Sequence, residues 1–132
     1  FSFRPQDDLE RLYRHMIVNV VLVNTDDHLQ NFAMLHTRHG WCLSPAYDIV
    51  PNIYQTEQIL QVNGRHNDLS ADDIATEGLN FGLSAPRSKK IMTDVLGKLA
   101  VWQTIFATCR VPELHTGSLR DNIARRLSTL RQ

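Results

Sequence analysis

The sequence predicts a mainly α-helical domain that carries one small β-hairpin. Three observations predict it. Apolar residues recur at helical spacing near the start of the chain and again through its second half; Ser70 and Ser84 each open such a series as a helix cap does; and a strand-like stretch, residues 31–43, folds about a polar turn. A chain of 132 residues is long enough to enclose one hydrophobic core. No repeat, low-complexity stretch or linker divides it, so a single domain over 1–132 is expected.

Arg4-Pro5 makes a stiff turn, and Asp7 and Asp8 place carboxylates at the positive end of the first helix dipole. Leu9, Leu12, Tyr13, Met16, Ile17, Val20 and Val21 follow at helical spacing. Over 16–23 the chain is apolar on nearly every side apart from Asn19, which puts this helix inside the core. Residues 24–31, NTDDHLQN, then break the pattern with a dense polar cluster. NFAMLH resumes as a strand, residues 37–40 read as a turn, and 41–43 form the return strand. In SPAYDIVPN, Pro45 and Pro51 bracket Tyr47, Asp48 and Ile49 and exclude a regular helix, leaving a shaped loop.

A short strand is expected over 58–62, turning at Asn63-Gly64. Ser70 with Asp73 has the pattern of a capping box and opens a helix that Gly78 or Gly82 ends. Ser84-Ala85-Pro86 caps the next, expected to carry Ile91, Val95, Leu99, Trp102, Phe106 and Cys109 on one continuous face before Pro112. The last helix, about 118–130, turns Leu119, Ile123, Leu127 and Leu130 inward and Arg120, Arg125, Arg126 and Arg131 outward as a solvated face. The second half is thus a small helical bundle.

Fourteen Lys and Arg balance fourteen Asp and Glu. No global field draws such a chain onto nucleic acid, and no direct DNA binding is expected. The longest apolar runs, 16–18 and 20–23, fall far short of the roughly 20 residues that cross a bilayer, and no charged leader precedes them, so no membrane association is expected. Cys42 and Cys109 are too few for a disulfide framework. Neither they nor the scattered histidines have the spacing of a zinc site, and a reducing cytoplasm is the expected compartment.

Chemistry concentrates in Asp26-Asp27-His28-Leu29-Gln30-Asn31 and in Asp48 beyond the hairpin. Phosphoryl transfer asks for one carboxylate to orient the attacking hydroxyl and take its proton, and for oxygen ligands that hold magnesium against the nucleotide phosphates. Asn31 stands five residues after Asp26, the separation that protein kinases keep between catalytic Asp and metal-binding Asn, and the hairpin leads back to Asp48. Such hard oxygen donors suit Mg²⁺. A plainer reading stands beside this one: Asp and Asn satisfy backbone donors in a helix-terminating loop, His28 pins that loop, Asp27 is solvated or a local cap, and Tyr47 packs on the hairpin. A third arrangement would gather Asp26, His28 and Asp48 around one metal for hydrolysis.

The wording TDDHLQN, then GWCLSPAYDIVPN, resembles the C-terminal lobe of the HipA family of bacterial serine/threonine kinases, the toxins of type II toxin–antitoxin pairs. That family shows a T-D-x-H-x-x-N catalytic loop and an S-P-x-Y-D-[IL] metal-binding segment. The resemblance runs from about residue 9 to the end of the chain, NGRHNDLSADDI included, with its specific motifs inside 24–52. It implies a protein-kinase-like C-terminal lobe with Asp26 as catalytic base, Asn31 and Asp48 on Mg²⁺, and His28, Gln30, Asn31, Tyr47 and Asp48 at the ATP site. It further implies transfer of the ATP γ-phosphate to Ser or Thr of a protein substrate, a HipB-like antitoxin as partner, and a bacterial cytoplasmic location.

Gln30 departs from the pattern, since family members often have Lys there, and the lost charge opens the alternative of a pseudokinase or interaction module. The glycines, at 40, 64, 78, 82, 97 and 117, nowhere cluster into a phosphate loop, and no strand lysine with a helical glutamate partner is found. With Phe1 in first place the chain reads as a fragment of a longer kinase, inactive alone, whose N-terminal lobe lies on the same polypeptide or, in a split kinase, on a second one.

Overall fold

A computed structural model describes residues 1–54, 60–114 and 116–132. Its elements are helix α1 (Pro5–Val21), a 3₁₀ turn (Leu29–Asn31), strands β1 (Met34–Thr37) and β2 (Gly40–Leu43), and helices α2 (Ala71–Asn80), α3 (Ala85–Leu99), α4 (Trp102–Thr108) and α5 (Gly117–Leu130). Mostly helical with one antiparallel hairpin, this is the fold class the periodicity predicts. α1 runs through the middle, packed against α3, α5 and β2, while α2 packs on α3. Tyr13, Ile17 and Val21 of α1 are wholly buried, together with Ile74, Ile91 and Ile123 from the helices around it. Asn19 is buried too, and its Oδ1 accepts the Asn24 side-chain amide at 3.0 Å.

The hairpin pairs Met34 with Leu43 and Thr37 with Gly40, and its turn closes on Gly40 at φ 119°. Only Cys42 and Leu43 face inward; Met34, Leu35 and Trp41 remain exposed. The return strand begins at Gly40, and Asn31, expected to open the first strand, instead ends the 3₁₀ turn Leu29–Asn31. Asp8 ties hairpin to helix. Expected as a helix-end charge, it is buried, and its Oδ2 accepts the Leu43 amide at 2.8 Å and the Ser2 hydroxyl at 2.7 Å.

Of the strand expected over 58–62, residues 58 and 59 lie outside the described residues, and Val62 forms only a single bridge with Arg65. That bridge closes the expected turn, with Asn63 and Gly64 at φ 50° and 74°. The left-handed pair is the geometry of a tight hairpin turn. Ser70 and Asp73 make the capping box: Ser70 Oγ accepts Asp73 N–H at 3.1 Å and Asp73 Oδ2 accepts Ser70 N–H at 2.9 Å. Gly82 ends α2 at φ 73°, with Leu83 N–H returning to the Gly78 carbonyl at 3.0 Å. This is the six-to-one closure of a Schellman motif. Gly78 instead lies within the helix, where α2 meets Ser88 of α3.

The long helix expected from Ser84 to Cys109 is two. α3 stops at Leu99 and α4 starts at Trp102, with Val101 turned to ψ 12° between them. No Gly or Pro marks the place. Burial of Trp102, whose ring meets Phe106 edge-on at 5.2 Å, accompanies the turn. Cys109 is correspondingly exposed and not on a buried face. In α5, Leu119, Ile123, Leu127 and Leu130 are buried as expected, but two of the four arginines are not free in solvent. Arg120 lies over the Phe106 ring at 5.4 Å, and Arg126 is half-buried with Nη1 donating to the Val20 carbonyl. Among the described residues no helix is long and apolar enough to cross a membrane.

Candidate functional site

The polar cluster begins where α1 ends, and that end is strained. Val23 N–H returns to the Val20 carbonyl at 3.4 Å and Asn24 N–H to the Asn19 carbonyl at 2.9 Å. These are the two closures of a Schellman motif, the same motif that Gly82 completes after α2. Here the left-handed position holds Val23, at φ 59° and fully buried. A β-branched residue in that region costs on the order of 1–3 kcal/mol and persists only where its surroundings over-determine it. They do so: the Val23 carbonyl accepts Asn52 N–H at 2.8 Å, and Asn52 Nδ2 donates to the buried Thr25 hydroxyl at 2.9 Å. Asn52 closes the SPAYDIVPN segment, so this pair binds the two polar segments together.

Beyond Thr25 the chain surfaces. Asp26 is exposed, and His28 Nε2 stands 3.1 Å from its Oδ1. Asn31, on the 3₁₀ turn, donates its side-chain amide to the Asp26 backbone carbonyl at 2.5 Å. That contact is made by one N–H of the amide and not by its oxygen. Tyr47 donates its hydroxyl to the Gln30 carbonyl at 2.9 Å, so its ring is pinned to the loop by its polar end and is 42% exposed, unlike a core residue. Gln30 itself is exposed. Asp48 follows, exposed and at φ 55°. Aspartate tolerates the left-handed region better than most residues, and the turn of backbone places Asp48 between the two tethers, Tyr47 and Asn52.

Asp26 is therefore in direct contact with His28 and Asn31, Tyr47 bonds separately to the Gln30 carbonyl of the same loop, and Asp48 is carried on the segment that Tyr47 and Asn52 tie to that loop. Among the described residues no three His, Cys, Asp or Glu side chains stand together as a metal-holding group, so Asp26, His28 and Asp48 do not form the one-metal hydrolytic set. Asp27, expected to be solvated or a local cap, is buried, and its Oδ1 accepts Leu60 N–H at 3.1 Å, from 33 residues along the chain. It anchors the loop from beneath. His15 of α1 lies under the same loop, its ring 5.0 Å from Phe32, and burial pushes its pKa below the ordinary 6.5 against the opposing charge of Asp27.

Residues 1–102 match the HipA-like C-terminal domain family. The chain belongs to that family. Among curated proteins it is 25% identical over 105 residues to a Sinorhizobium fredii protein named "Putative kinase Y4mE", an alignment covering 75% of this chain and 25% of that protein. Among solved structures it matches HipA from the Shewanella oneidensis MR-1 complex of HipA, HipB and operator DNA, with a TM-score of 0.70 at 15% identity over 99% of this chain and 35% of that one. The HipA fold is thus that of the whole chain, α4 and α5 included. The chain spans about a quarter of the length of the curated relative and about a third of the structural one.

For this HipA-like lobe, the motif spacing brought out Asp26, Asn31 and Asp48 but missed what holds them. Val23 reads as one more apolar helical residue, and Asp27 as one more surface charge. Asn52 lies inside the quoted motif, where its place after Pro51 could have marked it as a loop-closing group. Arg126 gave no signal in a run of arginines.

Proposed function

We propose that this chain is the catalytic lobe of a kinase that transfers the γ-phosphate of ATP to a Ser or Thr hydroxyl of a protein. The observation that carries the reading is the tethering of the two polar segments, Tyr47 to Gln30 and Asn52 to Thr25, around the linked pair Asp26 and Asn31. The exposed Asp26 carboxylate is the base: it takes the acceptor hydroxyl proton as the acceptor oxygen bonds to the γ-phosphorus and the bond from phosphorus to the departing ADP oxygen breaks. His28, on Asp26 Oδ1, orients that carboxylate. The amide oxygen of half-buried Asn31 and the carboxylate of exposed Asp48 are hard donors, a set that fits Mg²⁺, which when bound would neutralise charge on the phosphates. His28, Gln30 and Tyr47 border the same place and are assigned to the nucleotide side.

The rest of the kinase reading concerns what this lobe works with. ATP is gripped between two lobes in a kinase, so an N-terminal lobe, on the same polypeptide or another, is a partner of the proposal. A HipB-like antitoxin is proposed as a second, because the Shewanella oneidensis structure holds HipA with HipB. Labelled Mg·ATP given to the full-length protein, beside its Asp26→Asn and Asp48→Asn variants, tests the reading. Asp26→Asn is expected to lower transfer by about 100-fold or more while nucleotide still binds, and Asp48→Asn to raise the magnesium needed for half-maximal rate. Transfer at the normal rate by Asp26→Asn removes Asp26 from its role. A folded wild-type protein that transfers nothing to any protein acceptor makes the lobe an interaction module, the alternative that Gln30 favours.

A further inference from the structure

We infer that Arg126, on the last helix and outside the residues that match the family, is a positioning residue for the candidate catalytic loop. The inference rests on the kinase reading for its effect on rate, but the contact itself does not. α1 ends without a basic residue in its last turn, so the negative end of its dipole is uncompensated within the helix. Arg126 supplies that cation from α5, with Nη1 donating to the Val20 carbonyl. This carbonyl is the one that also receives Val23 N–H, at a long 3.4 Å. Arg126 therefore grips the same turn in which Val23 is held at φ 59°, three residues before Asp26.

The loop is then clamped from two sides. Asn52 holds the Val23 carbonyl and the Thr25 hydroxyl from the SPAYDIVPN segment, and Arg126 holds the Val20 carbonyl, three residues earlier, from the bundle. A left-handed valine has a ready escape into an ordinary backbone conformation, and such an escape would swing Thr25 and Asp26 away from Asn31. With one side of the clamp gone, that escape becomes cheaper. The Arg126 guanidinium stays charged although burial and the neighbouring Arg125 lower its pKa, since an arginine titrates far above neutrality.

The test follows amide hydrogen exchange across the full-length protein for Arg126→Met, Arg126→Lys and, as a neighbour on the same helix, Arg125→Met. Arg126→Met is expected to speed exchange at Asn24, Thr25 and Asn31 by about tenfold while Ile17 and Ile123 keep their protection. Arg126→Lys, which can still donate to the Val20 carbonyl, is expected to recover part of that, and Arg125→Met to change nothing. In phosphate transfer the same Arg126→Met variant should lose kcat with KM for ATP within twofold. Unchanged exchange in the loop overturns the inference. So does exchange that rises equally in loop and core, which would make Arg126 a stability residue only. Loop exchange that rises in a protein with no transferase activity upholds the positioning and instead removes the kinase reading.

Discussion

At the scale of single residues, buried titratable groups set how the domain meets acid. Burial alone would raise the Asp8 carboxyl, but the Ser2 hydroxyl, the Leu43 amide and the guanidinium groups of Arg4 and Arg11 outweigh it and hold the pKa below the ordinary 3.8. The Ser70 amide, with Asn63, lowers Asp73 likewise. Both groups bind protons more weakly folded than unfolded, so their stabilisation is full above the ordinary carboxylate range and is lost as pH falls through it. His15 acts earlier. Its folded pKa lies below 6.5, so below that pH the unfolded chain takes up a proton the native fold resists, and stability falls from there downward. Urea midpoints measured against pH should therefore decline in two steps, with His15→Gln removing the upper and Asp8→Asn flattening the lower. A wild-type midpoint that stays level until about pH 4 would show that His15 is not held neutral.

Helix ends and helix contacts decide the next scale. Gly78 sits where α2 crosses Ser88, and a Cβ there would lie 2.0 Å from Ser88 Oγ and 2.7 Å from its Cβ. Ser88 is fully buried and Tyr13 closes the other side, so neither can withdraw into space. Gly78→Ala should cost about 1–3 kcal/mol from overpacking, against the roughly 1 kcal/mol that alanine ordinarily adds to a helix. Thermal unfolding checks the sign: a higher midpoint would mean that α2 and α3 slide apart without penalty. Such contacts explain how much was legible beforehand. The capping box at Ser70, the Ser84 cap, the Asn63-Gly64 turn and the stop at Gly82 rest on local chemistry that a few neighbouring residues express. The break after Leu99 goes with the burial of Trp102, and Val23 holds a glycine position through its contact with Asn52 and, in the same turn, the bond from Arg126 to the Val20 carbonyl, both from far along the chain. The candidate site divides the same way. Spacing singles out Asp26, Asn31 and Asp48 as candidates because phosphoryl transfer would constrain their interval, whereas Asp27 and Arg126 look like ordinary surface charges until the fold surrounds them.

For the molecule as a whole, the family match and the folding unit have different limits. The match ends at residue 102, yet α5 contributes Leu119, Ile123, Leu127 and Leu130 to the same core as Ile17 and Val20 of α1. Each such side chain contributes roughly 1.5–3 kcal/mol on burial, and a domain of this size has a net margin of about 5–15 kcal/mol. Losing all four, with Arg126 and its hold on Val20, removes most or all of that margin. A chain cut after Trp102 is therefore expected to lose cooperative unfolding and to expose α1, read as a broad thermal transition and strong binding of an apolar dye beside the intact 1–132. A sharp transition from the shortened chain would mean that α1, α2 and α3 close a core alone. In that case α5 is an addition to the lobe, and the Arg126 side of the clamp on the Val23 turn lies outside the folding unit that displays the site.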